Sequence, residues 1–387
     1  MIVYFFLVFG LYGALVLALI TGWQLTIERD DSKLTLSKFL KISVIVPFRD
    51  EEQNLPALLE SFNQLDYPAE HTEFIFVDDH SSDSSQGVIK EFIEARSNAK
   101  LLQLESGKQG KKQALAHAIG NASGEIILTT DADCTVSPKW LSVVSNSFQN
   151  EEIRMLVGAV KIIPSKSFFS KMQSLEFASL IGSGAATLLY GLPTMSNGAN
   201  LAFRKSAFSD VDGYKDNFNI PSGDDEFLMR KINHKFPKSI AFLSNPESVV
   251  STQPQQSLSI FIQQRIRWAG KWKFNQSLFT KLLAIFIFIF QTSVIFLSIS
   301  VVVGWLPAKV FSVLMGTKLL VEFLFLYQVF NFLKLKWSWT SFLALQFIYP
   351  FYVFAVAVLS QKKSFVWKGR TTKQGTESNL VSDKFLV

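Results

Sequence analysis

The chain has 387 residues, 38 Lys and Arg against 32 Asp and Glu, a formal net charge of +6, and 48% apolar residues that include 37 Phe. So small a basic excess argues against nucleic acid as a partner and fits attraction to a membrane surface, while the single cysteine, Cys134, excludes an internal disulfide and suits a reducing compartment. The length allows two or three domains, and charges crowded into the middle, flanked on both sides by apolar stretches nearly free of them, exclude one large soluble globule.

Residues 1–23 carry no charge. About 20 apolar residues span a bilayer core as a helix, and no Lys or Arg precedes them as a signal peptide would require, so an uncleaved transmembrane anchor is expected. A polar linker follows at 24–40. Ile42–Pro47 is nearly continuously apolar, as a strand buried on both faces of a parallel sheet would be. A helix is predicted over 52–65, a strand over 73–77, a helix over 84–96, a strand over 100–104, a helix over 111–122 and a strand over 125–130. That alternation predicts an α/β domain with a mostly parallel sheet. Residues 165–192 predict a helix with Met172, Leu175, Phe177, Ala178 and Leu180 on an apolar side and Lys171, Gln173, Ser174 and Glu176 on a polar one, followed by a small-residue run. Two readings stay open for it: a core-packing helix, or an interfacial helix near an acceptor entrance.

Three further apolar stretches, 282–304, 310–332 and 338–359, predict a membrane region with two to three transmembrane helices. Lys318 and Glu322 stand i,i+4 and can pair on one helix face, and Pro350 would kink the last stretch. Arg29, Lys33, Lys38 and Lys41 follow the first span, and Arg265, Arg267, Lys271, Lys273 and Lys281 precede the second, so the intervening domain is expected to be cytoplasmic. The basic tail, 360–387, with Lys362, Lys363, Lys368 and Arg370, also reads as cytoplasmic. Three complete spans would place it outside, so one stretch is expected to be re-entrant or interfacial.

Five motifs carry chemistry. Asp131-Ala132-Asp133 follows a strand and can aim two carboxylates at one hard cation such as Mg²⁺ or Mn²⁺, although Asp-x-Asp alone is commonly a turn or cap. Asp78-Asp79 ends another strand, and ligands bind beyond the carboxyl ends of such strands; Asp83 or Ser81 suits a helix cap, whereas Asp79 has less structural excuse. Gly110-Lys111-Lys112 at a helix start suits an anion, with a solvated basic patch as the alternative. Ser222-Gly223-Asp224-Asp225-Glu226 offers either first-turn acids that complement a helix dipole or a general base. Gln264-Arg265-Ile266-Arg267-Trp268 combines a phosphate-binding fork with a flat ring on which a sugar can stack, or supplies positive-inside charge and an interfacial aromatic.

Together these motifs resemble a known family. Pro47-Phe48-Arg49-Asp50-Glu51, Asp78-Asp79, Gly110-Lys111 with Ala114-Leu115, and Asp131-Ala132-Asp133 are similar to the donor-binding half of family 2 glycosyltransferases. Asn197–Lys205, Asp224-Asp225 and Gln264-x-x-Arg267-Trp268 resemble the acceptor half, the last element being similar to that of cellulose, chitin and hyaluronan synthases and ceramide glucosyltransferases. The resemblance covers residues 41–275. Each motif alone is weak, but their shared order is specific. It implies a GT-A fold, a mixed, mostly parallel sheet flanked by transmembrane helices, and inversion at the anomeric carbon. It places Pro47, Arg49, Glu51, Asp79, Lys111, Asp131, Asp133, Gln264 and Arg267 at a nucleotide-diphosphate sugar, with UDP as the expected nucleotide. Asp131 and Asp133 would hold Mg²⁺ or Mn²⁺, Asp225 would be the base, and Asp224 and Trp268 would contact the acceptor. Asp224 stands where synthases often have Glu, and the few spans argue against an extrusion channel. The expected acceptor is a lipid or lipid-linked glycan at a bacterial plasma membrane. A processive polysaccharide synthase and a non-catalytic nucleotide-sugar-binding membrane protein are the alternatives.

Overall fold

The computed structural model describes residues 1–28, 38–215, 217–218, 223–270, 277–361, 364–367 and 370–373. Arg29, Lys33, Ser222, Lys271, Lys273, Lys362, Lys363 and Lys368 lie outside the described residues, as do linker positions 29–37. In chain order the elements are α1 (Ile2–Glu28), β1 (Ile42–Phe48), α2 (Leu55–Asn63), β2 (Thr72–Asp78), α3 (Ser85–Glu94), β3 (Ala99–Gln103), α4 (Lys111–Asn121), β4 (Ile126–Thr129), β5 (Cys134–Thr135), α5 (Trp140–Ser147), β6 (Met155–Val157) and β7 (Val160–Ile162). They continue with α6 (Phe168–Leu189), β8 (Leu201–Arg204), α7 (Lys205–Asp210), α8 (Asp224–Lys235), β9 (Ile240–Phe242), β10 (Val250–Thr252), α9 (Leu258–Ala269), α10 (Leu278–Val302), α11 (Ala308–Phe332), α12 (Trp339–Leu359) and the hairpin β11 (Ser364–Trp367) and β12 (Arg370–Lys373).

The chain divides into two compact units, an α/β unit and a helical one. In the α/β unit a seven-stranded sheet runs in the order β3-β2-β1-β4-β8-β6-β9. β1 pairs in parallel with β2 and with β4, Val44 registering with both Phe74 and Leu128. β8 is antiparallel to both its neighbours, and β9 returns parallel to β6. The expected apolar strands are here, and their faces are closed: Ile42, Val44, Ile45, Val46, Ile75, Phe76, Val77, Ile126, Ile127 and Leu128 are fully buried. Pro47 has no N–H to give a ladder. It falls where the registered pairing with β4 has already ended at Ile45 and Thr129. A second sheet, β5-β10-β7, joins the segment after Asp133 to that ending at Thr252.

The helical unit holds α1, α6, α9, α10, α11 and α12. The stretch 41–275, expected as one domain, is therefore split: Ile162–Thr194 and the residues from Pro254 onward group with the apolar helices. The reason lies in α6, whose small residues let other helices approach closely. A Cβ on Gly182 would come within 2.6 Å of Val329 Cγ2 on α11, and one on Gly22 of α1 within 3.0 Å of the Ala186 carbonyl. The small-residue run expected after the helix is thus its own second half. The polar side expected on α6 is not solvated either, because Gln173, Ser174 and Glu176 are all buried; this favours the core-packing reading.

The anchor helix extends five residues past Trp23, the Thr26 hydroxyl bonding back to the Gly22 carbonyl at 2.7 Å. Phe5, Val8 and Phe9 pack with Phe290, Val294 and Leu297 of α10 and with Leu314 and Met315 of α11. The C-terminal stretches expected at 282–304, 310–332 and 338–359 are three unbroken helices, α12 running on through Pro350. Among the described residues, four helices (α1, α10, α11 and α12) are long and apolar enough to cross a membrane, and the chain is a membrane protein by that composition. Lys318 and Glu322 pair at 2.9 Å, and Tyr12 donates to Glu322 at 2.5 Å while Lys318 also donates to Gln346. Charges at such depth are tolerated when they face protein partners.

Candidate active site

Parallel pairing brings the carboxyl ends of β1, β2 and β4 side by side, and the acidic loops follow from it. After β1, the Arg49 guanidinium donates to the Asp79 carbonyl at 2.9 Å. Asp79 is buried and its carboxylate accepts from the Gly110 N–H at 3.0 Å. Burial pushes its pKa up, against the pull of that N–H and of Arg49. Asp78 serves the loop, accepting from the Ser81 N–H at 2.9 Å and from Gln86 at 2.7 Å. Neither expected cap, Ser81 or Asp83, is the N-cap of α3, which is Ser84 without a side-chain cap bond; Asp83 instead ties the loop together, taking the N–H groups of Ser85 and Glu52, both at 3.0 Å. Glu51 donates its backbone N–H to Ser85 Oγ at 2.8 Å and accepts from Asn54. The loops after β1 and β2 are thereby stitched together, with Asp50 and His80 held at left-handed φ of 50° and 60°.

Lys111 is the first residue of α4, after Gly110 at φ 95°. Its ammonium forms an ion pair with Asp131 at the end of β4. On the far side stand Asp224 and Asp225, both buried in the first turn of α8. Asp225 accepts from the Gly198 N–H at 3.1 Å and the Glu226 N–H at 2.8 Å. Gly198 is the pinch point: a Cβ there would lie 3.2 Å from an Asp224 carboxylate oxygen and 3.3 Å from Lys111 Nζ. The Thr129 hydroxyl ties this turn to the end of β4 through the Gly198 carbonyl at 2.7 Å. Burial alone would lower the Lys111 pKa; Asp131, Asp224 and Asp225 more than reverse this, and it is raised. Asp133 is raised to about 6 by burial and then by the charges of Asp131 and Glu51, against the Cys134 thiol and Lys111.

The structure thus gathers Lys111, Asp131, Asp224 and Asp225, with Asp133 and Glu51 electrostatically coupled to them. Gly198 and Thr129 were not among the expected site residues; the glycine within Asn197-Gly198-Ala199-Asn200 was the available signal. Gln264, Arg267 and Trp268 are on α9, in the helical unit. There the Trp268 ring is tilted against Phe177, centroids 6.0 Å apart, and the Arg265 guanidinium lies 4.3 Å from it. Asp131 and Asp133 fit a hard divalent cation by donor type, two carboxylates on one short turn. Among the described residues no group of three or more His, Cys, Asp or Glu could hold a metal ion.

The reversed β8 inside an otherwise parallel sheet, with carboxylates at the strand ends, defines the class: a GT-A fold, that of nucleotide-diphospho-sugar transferases. A mannosyltransferase from Pyrobaculum calidifontis, solved in complex with GDP-Man and Mn²⁺, shares it with a TM-score of 0.52 at 17% identity, covering 90% of this chain and 98% of that one. Residues 43–212 match Glycosyl transferase family 2. It is 26% identical over 282 residues to the probable glycosyltransferase YdaM of Bacillus subtilis, covering 70% of this chain and 64% of that protein. It is 29% identical over 231 residues to the poly-beta-1,6-N-acetyl-D-glucosamine synthase of Staphylococcus epidermidis, covering 59% and 53%. The chain spans between half and two-thirds of the length of these curated relatives.

Proposed function

We propose that the protein is an inverting glycosyltransferase that moves a sugar from a nucleotide-diphosphate sugar, with UDP as the nucleotide, to a hydroxyl of a lipid or lipid-linked glycan. The catalytic unit would work on the cytoplasmic face of a bacterial plasma membrane. The observation that carries this is the convergence of Lys111, Asp131 and Asp225 around Gly198. A cation with a charged partner on one side and an oriented carboxylate on the other is what displacement of a diphosphate requires.

In this reading Asp79 meets the nucleobase, with Pro47, Arg49 and Glu51 shaping the donor side. Asp225, oriented by two backbone N–H groups, takes the proton of the acceptor hydroxyl. The freed oxygen attacks the anomeric carbon from the face opposite the diphosphate, and the bond from that carbon to the phosphate oxygen breaks. Lys111 counters charge on the departing diphosphate, and Gln264 and Arg267 take the diphosphate-steadying role that the family resemblance gives them. Asp131 and Asp133 would hold Mg²⁺ or Mn²⁺, which when bound offsets charge on the leaving group. Asp224 and Trp268 contribute to the acceptor side. Asp225→Asn should reduce transfer at least a thousandfold with nucleotide affinity retained, measured by product formation from membranes and by nucleotide titration; turnover at the wild-type rate overturns the base assignment.

A processive polysaccharide synthase is the second reading, favoured by similarity to a polymer synthase over 59% of the chain. Mass analysis of lipid and polymer fractions after a donor screen separates the two: single additions support the lipid acceptor, long ladders the polymer.

A further inference from the structure

Within the helical unit, side-chain contacts give each long helix a depth and a direction. Tyr12 of α1 sets one level: its ring stacks on Phe290 of α10, centroids 3.6 Å apart, and its hydroxyl donates to Glu322 of α11 at 2.5 Å. Farther along, Trp23 of α1 meets Phe332 of α11, so these two helices run the same way. Phe5 meets Phe296, so α10 runs against them. The C-terminal ends of α1 and α11 and the N-terminal end of α10 therefore share one end of the bundle. It is the end at which the chain leaves α1 for the α/β unit.

Against this ruler α12 does not run along the bundle. Near its start Trp339 stacks on Phe323 of α11, and near its end Phe354 stacks on Phe288 of α10. Phe323 and Phe288 lie one and two residues from the pair that Tyr12 joins, within about 3 Å of one level. Yet 15 residues of helix, about 22 Å, separate Trp339 from Phe354. Between them α12 dips by about a turn, where Lys318 donates to Gln346. Pro350, which removes the helical bond to the Gln346 carbonyl, stands where the return begins. Tyr352 then reaches Glu176 of α6 at 3.2 Å and Phe261 of α9, ring centroids 5.8 Å apart. α6 itself crosses α11 at Phe325 and Val329 and α1 at Gly22, all toward the same end. Counting the roughly 20 residues of a bilayer core from Pro307 puts the edge of the core at that end near Tyr327. Phe323 is one turn inside it, about 6 Å, within the range at which helices lie in one leaflet.

We propose that α12 is a re-entrant helix docked in a single leaflet, so that α1, α10 and α11 alone cross the membrane and the chain leaves α12 at Gln361 on the side of the α/β unit. The partner it fits is the acyl layer of that leaflet. Leu343, Phe347, Phe351, Phe354 and Val358 form an exposed apolar stripe along α12, while Phe342, Gln346 and Pro350 face the bundle. Exposed Lys334 and Lys336, with Trp337 and Trp339, stand at its entry, a basic and aromatic flank suited to headgroups. Three crossings also remove the conflict between a basic tail and a fourth span.

The test uses the full chain in two settings. In spheroplasts of an expressing bacterium, Ser97→Cys marks the α/β unit, Val303→Cys the turn after α10 and Gln361→Cys the end of α12. Each is read with a membrane-impermeant maleimide before and after permeabilisation, against the background of the buried Cys134. Gln361→Cys is expected to label with Ser97→Cys and opposite to Val303→Cys. In nanodiscs of phosphatidylethanolamine and phosphatidylglycerol, spin labels at Leu343→Cys and Val358→Cys report depth by collision with oxygen against a water-soluble nickel complex. Their depths are expected to agree within about 6 Å, whereas a crossing helix separates them by about 22 Å. Phe347→Cys and Phe354→Cys, also on the exposed stripe, carry the depth measurement where either of the first pair does not yield folded protein. Gln361→Cys labelling together with Val303→Cys, or depths that run on into the opposite leaflet, overturns the re-entrant reading. Ser97→Cys and Val303→Cys labelling from one side overturns the three crossings on which it stands.

Discussion

Gly198→Ala is the most informative small change in the catalytic unit. The new methyl would sit 3.2 Å from an Asp224 oxygen, 3.3 Å from Lys111 Nζ and 3.8 Å from Asp225 Cβ. Ordinary contact needs about 3.4–4 Å, so the two nearer groups must each move by a few tenths of an ångström. Both belong to side chains that can shift, and the backbone N–H that holds Asp225 remains. The stability cost should therefore be low in the overpacking range, about 1 kcal/mol. Turnover is more sensitive. Misplacing reacting groups by 1 Å costs on the order of a hundredfold, so a shift of a third of that predicts a loss of about tenfold in kcat. Nucleotide affinity should change less, because Asp79 is not disturbed. Gly198→Val should cost a hundredfold or more. Gly87→Ala is the control: no atom lies within 4 Å of its Cβ position on α3, and it should leave turnover unchanged and raise stability by up to about 1 kcal/mol. The assay is sugar transfer at saturating donor, with a thermal melt for each variant. Wild-type kcat in folded Gly198→Ala and Gly198→Val would refute the convergence of Lys111, Asp224 and Asp225 on this turn.

Two further outcomes follow from charge. As a cation ligand Asp133 would act only as the carboxylate, and its pKa is raised to about 6. Divalent-metal affinity should therefore hold above pH 7 and fall, by up to about tenfold per pH unit, as pH drops through 6; metal titrations of activity at pH 7.5 and 5.5 check it, and equal affinities would count against Asp133 as a ligand. Glu73 is the opposite case. Burial would raise it, but hydrogen bonds from Lys100, Ser43 and the Ser123 N–H hold it at about 2 against 4.5. Its contribution is present above pH 4.5 and lost as pH falls toward 2, so Glu73→Gln should cost about 1–2 kcal/mol at pH 7, allowing for solvent screening at this half-buried site, and nothing near pH 2. Melting curves of both proteins across that window would show a gap that closes on acidification, and a gap independent of pH would be inconsistent with this account.

Much of the fold was legible because it depends on neighbours in sequence. Ile42–Val46 and Phe74–Val77 are apolar runs too short for helices and bounded by turn residues, and they became the central parallel strands. Asp131-Ala132-Asp133 announced itself by following such a run, and Lys111 by opening a helix after a glycine. The four long helices needed only length and a scarcity of charge, α11 keeping Lys318 and Glu322 as a pair. Their ends shifted by a few residues because polar groups such as Thr26 can bond within the helix. The reversal of β8 was not legible, since no local pattern records the direction in which a strand enters a sheet.

The sequence by itself determined that the chain is an α/β unit with acidic strand ends combined with membrane-spanning lengths of apolar helix, because periodicity and composition act over a few residues. Only the tertiary structure decided which polar residues are solvated and which are buried in pairs. Gln173, Ser174 and Glu176 read as one outward face of an amphipathic helix. They are instead an inward face: Gln173 pairs with the Gln255 backbone, Ser174 donates to the Ile162 carbonyl, and Glu176 is met by Arg265, 89 residues on, and Tyr352, 176 residues on. Whether a carboxylate faces water or an arginine depends on contacts between distant parts of the chain, and for that reason the pairing of α6 with α9 and the pinch at Gly198 emerged only with the fold.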